Sequence, residues 1–131
     1  VSSIASETVT VGAAPTGQTA GNPSSFGSHL SATGGAAPSG TGNGGLGGTG
    51  TGGDINIDGG GGWTSGNTSP YNSNSGGISY FGGGGAATQT GPTSPVNVTN
   101  GAWGAGGGST HNGYTAMPNP RSGIVIVWEF K

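Results

Sequence analysis

Gly59-Gly60-Gly61-Gly62 and Gly82-Gly83-Gly84-Gly85 are uninterrupted glycine tetrads, and Gly44-Gly45-Leu46-Gly47-Gly48 and Gly104-Ala105-Gly106-Gly107-Gly108 come close to the same pattern. How these four blocks order themselves decides the fold. A residue without a β-carbon brings no side-chain burial and loses more backbone entropy on ordering than any other. Order in such blocks must therefore come from main-chain hydrogen bonds and close backbone approach. A collagen helix is excluded, because no strict third-residue glycine period holds over a long span. Glycine also adopts the extended helix of three residues per turn with about 3.1 Å rise, and such helices can approach closely enough for backbone and Cα–H contacts. A bundle of packed polyglycine-II-type helices is expected in place of an apolar core.

The rest of the composition agrees with that scaffold. The 131 residues fit one domain by length; 34 are glycine and 8 proline, which leaves 42 positions unsuited to helix interiors or ordinary strand cores. Only 28% of residues are hydrophobic, so a large apolar interior is excluded. No ten-residue window has helical periodicity free of glycine or proline, and essentially no α-helix is expected. The fold class is all-β and irregular, built of short strands and glycine helices.

Charge removes several functions. Glu7, Asp54, Asp58 and Glu129 face only Arg121 and Lys131, a net charge of -2, so no row of phosphates can be neutralised and nucleic acid is not an expected partner. There is no cysteine, hence no disulfide and no thiolate metal site, which leaves the redox compartment open. No apolar run approaches the roughly 20 residues of a membrane helix, and the first residues lack the charged start and apolar stretch of a signal peptide. Membrane insertion is not expected. A start at Val1 leads us to expect a fragment, a processed product or the ordered part of something longer.

Strand signals lie between the glycine blocks. Thr8-Val9-Thr10-Val11 alternates with period two, as do Ile55 and Ile57 within Asp54-Ile55-Asn56-Ile57-Asp58, and Val96 and Val98 flank Asn97. Ile78-Ser79-Tyr80-Phe81 is a fourth candidate. Gly123-Ile124-Val125-Ile126-Val127-Trp128-Glu129-Phe130 runs four aliphatics together and reads as a central strand buried on both faces, with the Thr8–Val11 strand as its expected partner. Residues 64–75, 86–100 and 109–122 are rich in Asn, Ser, Thr and Pro and read as surface loops.

The order of these pieces resembles a known family, the glycine-rich tip domain of bacteriophage tail fibres and related tail adhesins. The matching pieces are Thr8-Val9-Thr10-Val11-Gly12, Ser24-Ser25-Phe26-Gly27 with Leu30-Ser31-Ala32-Thr33-Gly34-Gly35, and Gly52-Gly53-Asp54-Ile55-Asn56-Ile57. Ser79-Tyr80-Phe81 with the following tetrad and Gly123-Ile124-Val125-Ile126-Val127 complete the set. The resemblance covers residues 8 to 130. It departs after Gly12, where Ala13-Ala14-Pro15-Thr16 replaces the glycine-rich run usual in the family. A virion protein in the tail fibre or tail tip is implied, attaching the particle to a bacterial surface receptor such as a polysaccharide, a pilus or an outer-membrane protein. The resemblance also implies other tail proteins as partners and a homotrimer. On this reading residues 1–7 connect to an upstream fibre or assembly, and residues 8–131 form the tip domain with loops at 63–75, 86–103 and 109–121.

Chemical constellations are sparse. Asp54, Asn56 and Asp58 followed by Gly59 resemble the first half of a calcium loop, but Ser65 stands where the bidentate glutamate belongs. Asp54, Asn56 and Asp58 are weak candidates and no metal is expected. His29 and His111 have no paired ligand spacing. Four carboxylates and two imidazoles offer few catalytic combinations, the glycine runs lack a phosphate-loop lysine, and neither an enzyme nor a cofactor is expected. The sequons at Asn67 and Asn97 are coincidental in a phage protein.

Aromatic rings are the better clue, since they give large contact area at small entropic cost. Tyr80, Phe81 and Trp128 are expected to cap the glycine bundle. Trp63, Tyr71, Trp103 and Tyr114 divide between capping and receptor contact, and His111 joins them as a receptor-binding candidate in its polar stretch. Two rivals stand beside the adhesin. One is a structural tail component whose loops bind neighbouring subunits; the other is an ice-binding glycine-helix protein, which the irregular block spacing disfavours.

Overall fold

The computed structural model describes residues 6–17, 19–37, 44–64, 74–88, 97–108 and 119–128. Among them there is no helix, as the glycine and proline content demands. Eight short strands form two antiparallel meanders: β1 (Val9–Thr10), β2 (Ser24–Phe26), β3 (Leu30–Ala32) and β4 (Gly50–Thr51) in one, and β5 (Trp63–Thr64), β6 (Asn74–Ser75), β7 (Ala86–Thr88) and β8 (Asn97–Thr99) in the other. Strands of two or three residues bury little. The buried hydrophobic residues among those described are Ala87 and Ala105 alone.

Glycine-rich segments join the two sheets, and their polar backbone groups pair with one another. Gly21 donates to Gly35, Ala36 to Leu46, Gly62 to Gly45, Gly59 to Gly48 and Gly60 to Ile78, all N–H to carbonyl at 2.8–3.0 Å. Gly76 donates to Gly85, Gly85 to Gly106, and Gly106 back to Gly77, at 2.8, 2.9 and 3.0 Å. Three segments thus bond in a triangle. In a flat sheet the first and third strands stand about 9.6 Å apart and cannot bond, so this region is layered instead of planar. Closing the array, Gly104 donates to Ser122 and Gly123 to Gly12.

Such packing requires absent side chains. A β-carbon on Gly76 would overlap the carbonyl of Gly106, and one on Gly47 the carbonyl of Gly59. Despite the Ala-Ala-Pro that follows it, Gly12 packs in the same way, against the carbonyl of Asn22, and its N–H bonds Ser24 Oγ at 2.9 Å.

Several expectations are corrected. Residues 119–128 contain no strand, and Ile126, Val127 and Trp128 are exposed. The backbone of this stretch is held by bonds to Gly12, Gly104 and Ala105. β1 pairs with β2, with Val9 opposite Phe26, so the two ends of the chain meet through Gly123 and Gly12 and not through a strand pair. Residues 52–55 bend instead of forming a strand, leaving Ile55 84% exposed, because Asn56 closes a turn onto Gly53 and Gly52 takes a φ of 90°. Ile78-Ser79-Tyr80-Phe81 is a two-residue hairpin: Ser79 and Gly82 exchange both backbone bonds, at 2.9 and 3.2 Å. Finally, the stretches read as loops contain β5 to β8 at their edges.

Candidate functional site

Antiparallel alternation gives the molecule two unlike ends. Running outward from β2, the chain turns at 27–29, and later at 52–55, 80–81 and 103–104, all at one end, here the turn end. Between these turns the described segments cross the array, and their other ends, at 12 and 21, 37 and 44, 64 and 74, 88 and 97, and 108 and 119, lie at the opposite end, here the loop end. The four connections at the turn end are tight. At the loop end β5 pairs with β6 and β7 with β8, on either side of the sequence intervals 65–73 and 89–96.

The predicted site residues divide between these ends. Trp63 lies in β5 at the loop end, opposite Ser75, and is 63% exposed. Tyr71, His111, Tyr114 and the sequon at Asn67 lie outside the described residues. Trp103 sits at the turn end, at the opposite end of the array from Trp63.

The turn end gathers aromatic rings. Ser79 Oγ donates to the Trp103 carbonyl at 2.7 Å and accepts from the Phe81 N–H at 3.2 Å, locking two neighbouring turns together. Tyr80 and Phe81 meet edge to face, with ring centroids 5.3 Å apart. Across the lock, the Arg121 guanidinium lies 5.2 Å from the centre of the Trp103 ring. These rings are not the caps expected of Tyr80 and Phe81: Tyr80 is 76% exposed, Phe81 and Trp103 47% each, and Trp128 is exposed too. A two-residue hairpin has no room to fold its side chains back over the array, which is why they stand outward. The serine that joins them gave no signal in the sequence, since it looks like any polar loop residue.

Remaining polar groups serve local structure. Asn56 Oδ1 accepts from the Gly53 N–H at 3.1 Å while its Nδ2 donates to the Gly53 carbonyl at 2.9 Å. Its oxygen is thereby committed to the turn, and no group of three or more His, Asp or Glu side chains converges among the described residues. His29 and Glu7 form an exposed pair at 3.1 Å across the β2–β3 turn, a geometry worth little to stability. A shallow, ≈180 Å³ groove lies between β2–β3 and the C-terminal stretch, lined by Phe26, Leu30, Ala32, Ile124 and serines. No helix among the described residues is long and apolar enough to cross a membrane.

No protein-family profile, curated protein or solved structure matches this chain.

Proposed function

We propose that this chain is the receptor-binding tip of a bacteriophage tail fibre or tail adhesin, acting in the virion to attach the particle to its bacterial host. The observation that carries the reading is the division of the two ends: the described residues that flank the Asn/Ser/Thr-rich stretches 65–73, 89–96 and 109–118 lie at one end, while the opposite end is closed by tight turns. A scaffold that holds several adaptable segments side by side suits recognition of a surface molecule such as a polysaccharide, a pilus or an outer-membrane protein. Trp63, Tyr71, His111 and Tyr114 are the residues assigned to that contact. Trimeric assembly with other tail proteins would multiply weak single contacts into avidity. The chain performs no catalysis in this role and takes no cofactor.

The glycine segments are read as polyglycine-II-type helices. Support comes from the triangle of bonds among segments 76–78, 83–85 and 105–107, together with a fourth bond from Gly60 to Ile78. A strand offers hydrogen bonds along two edges only, whereas a three-residue-per-turn helix points them outward in three directions.

Alanine at Trp63, Tyr71 and Tyr114, introduced together into particles carrying this chain, tests the assignment. Assembly should be normal and adsorption to host cells lost. Failed assembly, with surviving particles adsorbing as before, would instead make this a structural tail component.

A further inference from the structure

We infer that the turn end carries a second binding site, an aromatic platform for a short carbohydrate, formed by Tyr80, Phe81, Trp103 and Arg121. The inference is independent of the loop-end assignment, since it concerns the opposite end of the molecule. Three observations carry it. The rings are exposed, and the backbone that carries them is held: Ser79 Oγ bridges the two turns, Ala102 donates to the Gly83 carbonyl at 2.9 Å, and Gly104 is bonded to Ser122. A ligand therefore meets groups whose backbone entropy is already lost, which is where affinity from small contacts comes from.

The chemistry of the turn tips is also selective. Tyr80-Phe81 and Trp103 present rings with no aliphatic side chain at either tip, and Ile78, two residues before Tyr80, lies partly over Gly60. A protein partner would be served as well by aliphatics. Flat rings with one hydroxyl and one guanidinium instead suit a ligand that has C–H faces to stack and hydroxyl groups to accept or donate hydrogen bonds, which describes a pyranose. Lastly, Arg121 is one of only two Lys or Arg residues in the chain, and it stands beside Trp103. Its five donors favour a sugar bearing a carboxylate over a neutral one.

The edge-to-face Tyr80–Phe81 pair forms a corner, and the Trp103–Arg121 pair a second wall beyond Ser79.

Maltotriose and trigalacturonate serve as neutral and acidic probes for the intact chain in saturation-transfer NMR. Saturation should reach the sugar C–H protons, with amide shifts at Gly82 and Gly104 and at the Trp103 indole, and trigalacturonate should bind more tightly. Tyr80→Ala and Trp103→Ala should each weaken binding about tenfold, whereas Leu46→Ala, at an exposed side chain of the 44–48 segment, leaves it unchanged. Arg121→Gln should remove the preference for the acidic sugar and Arg121→Lys retain part of it. Tyr80 is so exposed that its replacement leaves the melting temperature as a fold control. The site is refuted if neither sugar binds at millimolar concentration, or if binding survives Tyr80→Ala and Trp103→Ala. Self-association lost in Trp103→Ala, without any sugar signal, would refute it in favour of a protein-docking surface.

Discussion

At the scale of single residues, the missing β-carbon matters more than any side chain present. Gly76 is buried, and an added methyl would meet the backbone of Gly106 and Gly107, which no rotamer change can move aside. Gly83 is its natural control, one segment away, with nothing within 4 Å of the position a β-carbon would take. Gly76→Ala should destabilise by about 3 kcal/mol or more, the upper range of overpacking. Gly83→Ala should be neutral or stabilising by up to about 1 kcal/mol, because it narrows the unfolded ensemble without strain. Chemical denaturation of both variants checks the contrast, and equal effects would mean that close backbone packing is not what holds the array. The sequence makes the glycines conspicuous but cannot separate these two, since both sit in glycine runs and differ only in which neighbour arrives from elsewhere in the chain.

Among elements, the locked pair of turns at 79–82 and 102–104 depends on one hydroxyl. Ser79→Ala removes the bond to the Trp103 carbonyl and the acceptor for the Phe81 N–H. A cost of about 1 kcal/mol is expected from two exposed bonds, accompanied by faster hydrogen exchange at Phe81 and Gly104 than in the rest of the array. Uniform exchange across the molecule would show that the turns are held by something else. Legibility from sequence was uneven at this scale. Val9–Thr10 within Thr8–Val11 is strand and Val98 lies in β8, because alternation is a local property, while Val96 lies outside the described residues. The aliphatic run 124–127 misled: four such residues normally mean burial on both faces, but burial also needs neighbouring layers, and among the described residues the backbone bonds to this stretch stop at residue 123. Ile55 and Ile57 misled for a related reason, since period two also fits a turn that Asn56 closes onto Gly53. The rings at 80, 81 and 103 were visible as rings; their convergence depended on a serine bond across 24 residues and was not.

At the scale of the molecule, the expected source of stability is hydrogen bonding and close contact between backbones, since among the described residues only two alanines form the buried hydrophobic set. Heat-capacity change on unfolding tracks exposed apolar surface and is lowered by exposed polar surface. Calorimetry should therefore return a value well below the usual roughly 12–15 cal/mol/K per residue, with a correspondingly flat dependence of stability on temperature. An ordinary value would mean that apolar burial in an assembled state, and not main-chain packing, carries the fold. The expectation of a chain without a large apolar interior followed from composition alone. The sorting of tight turns to one end and long connections to the other did not, because it arises from the count of crossings, and the crossings become countable only once each segment's partners are known.

That sorting has a practical side. Each long connection begins and ends on neighbouring members of the same hydrogen-bonded array, so its length and composition are free of the register beneath it. Peptides exchanged at 65–73 or 89–96 would change what the molecule greets while β5 to β8 stay in their places. The architecture is in that sense a holder with replaceable inserts, and specificity can drift at one pole without renegotiating the frame.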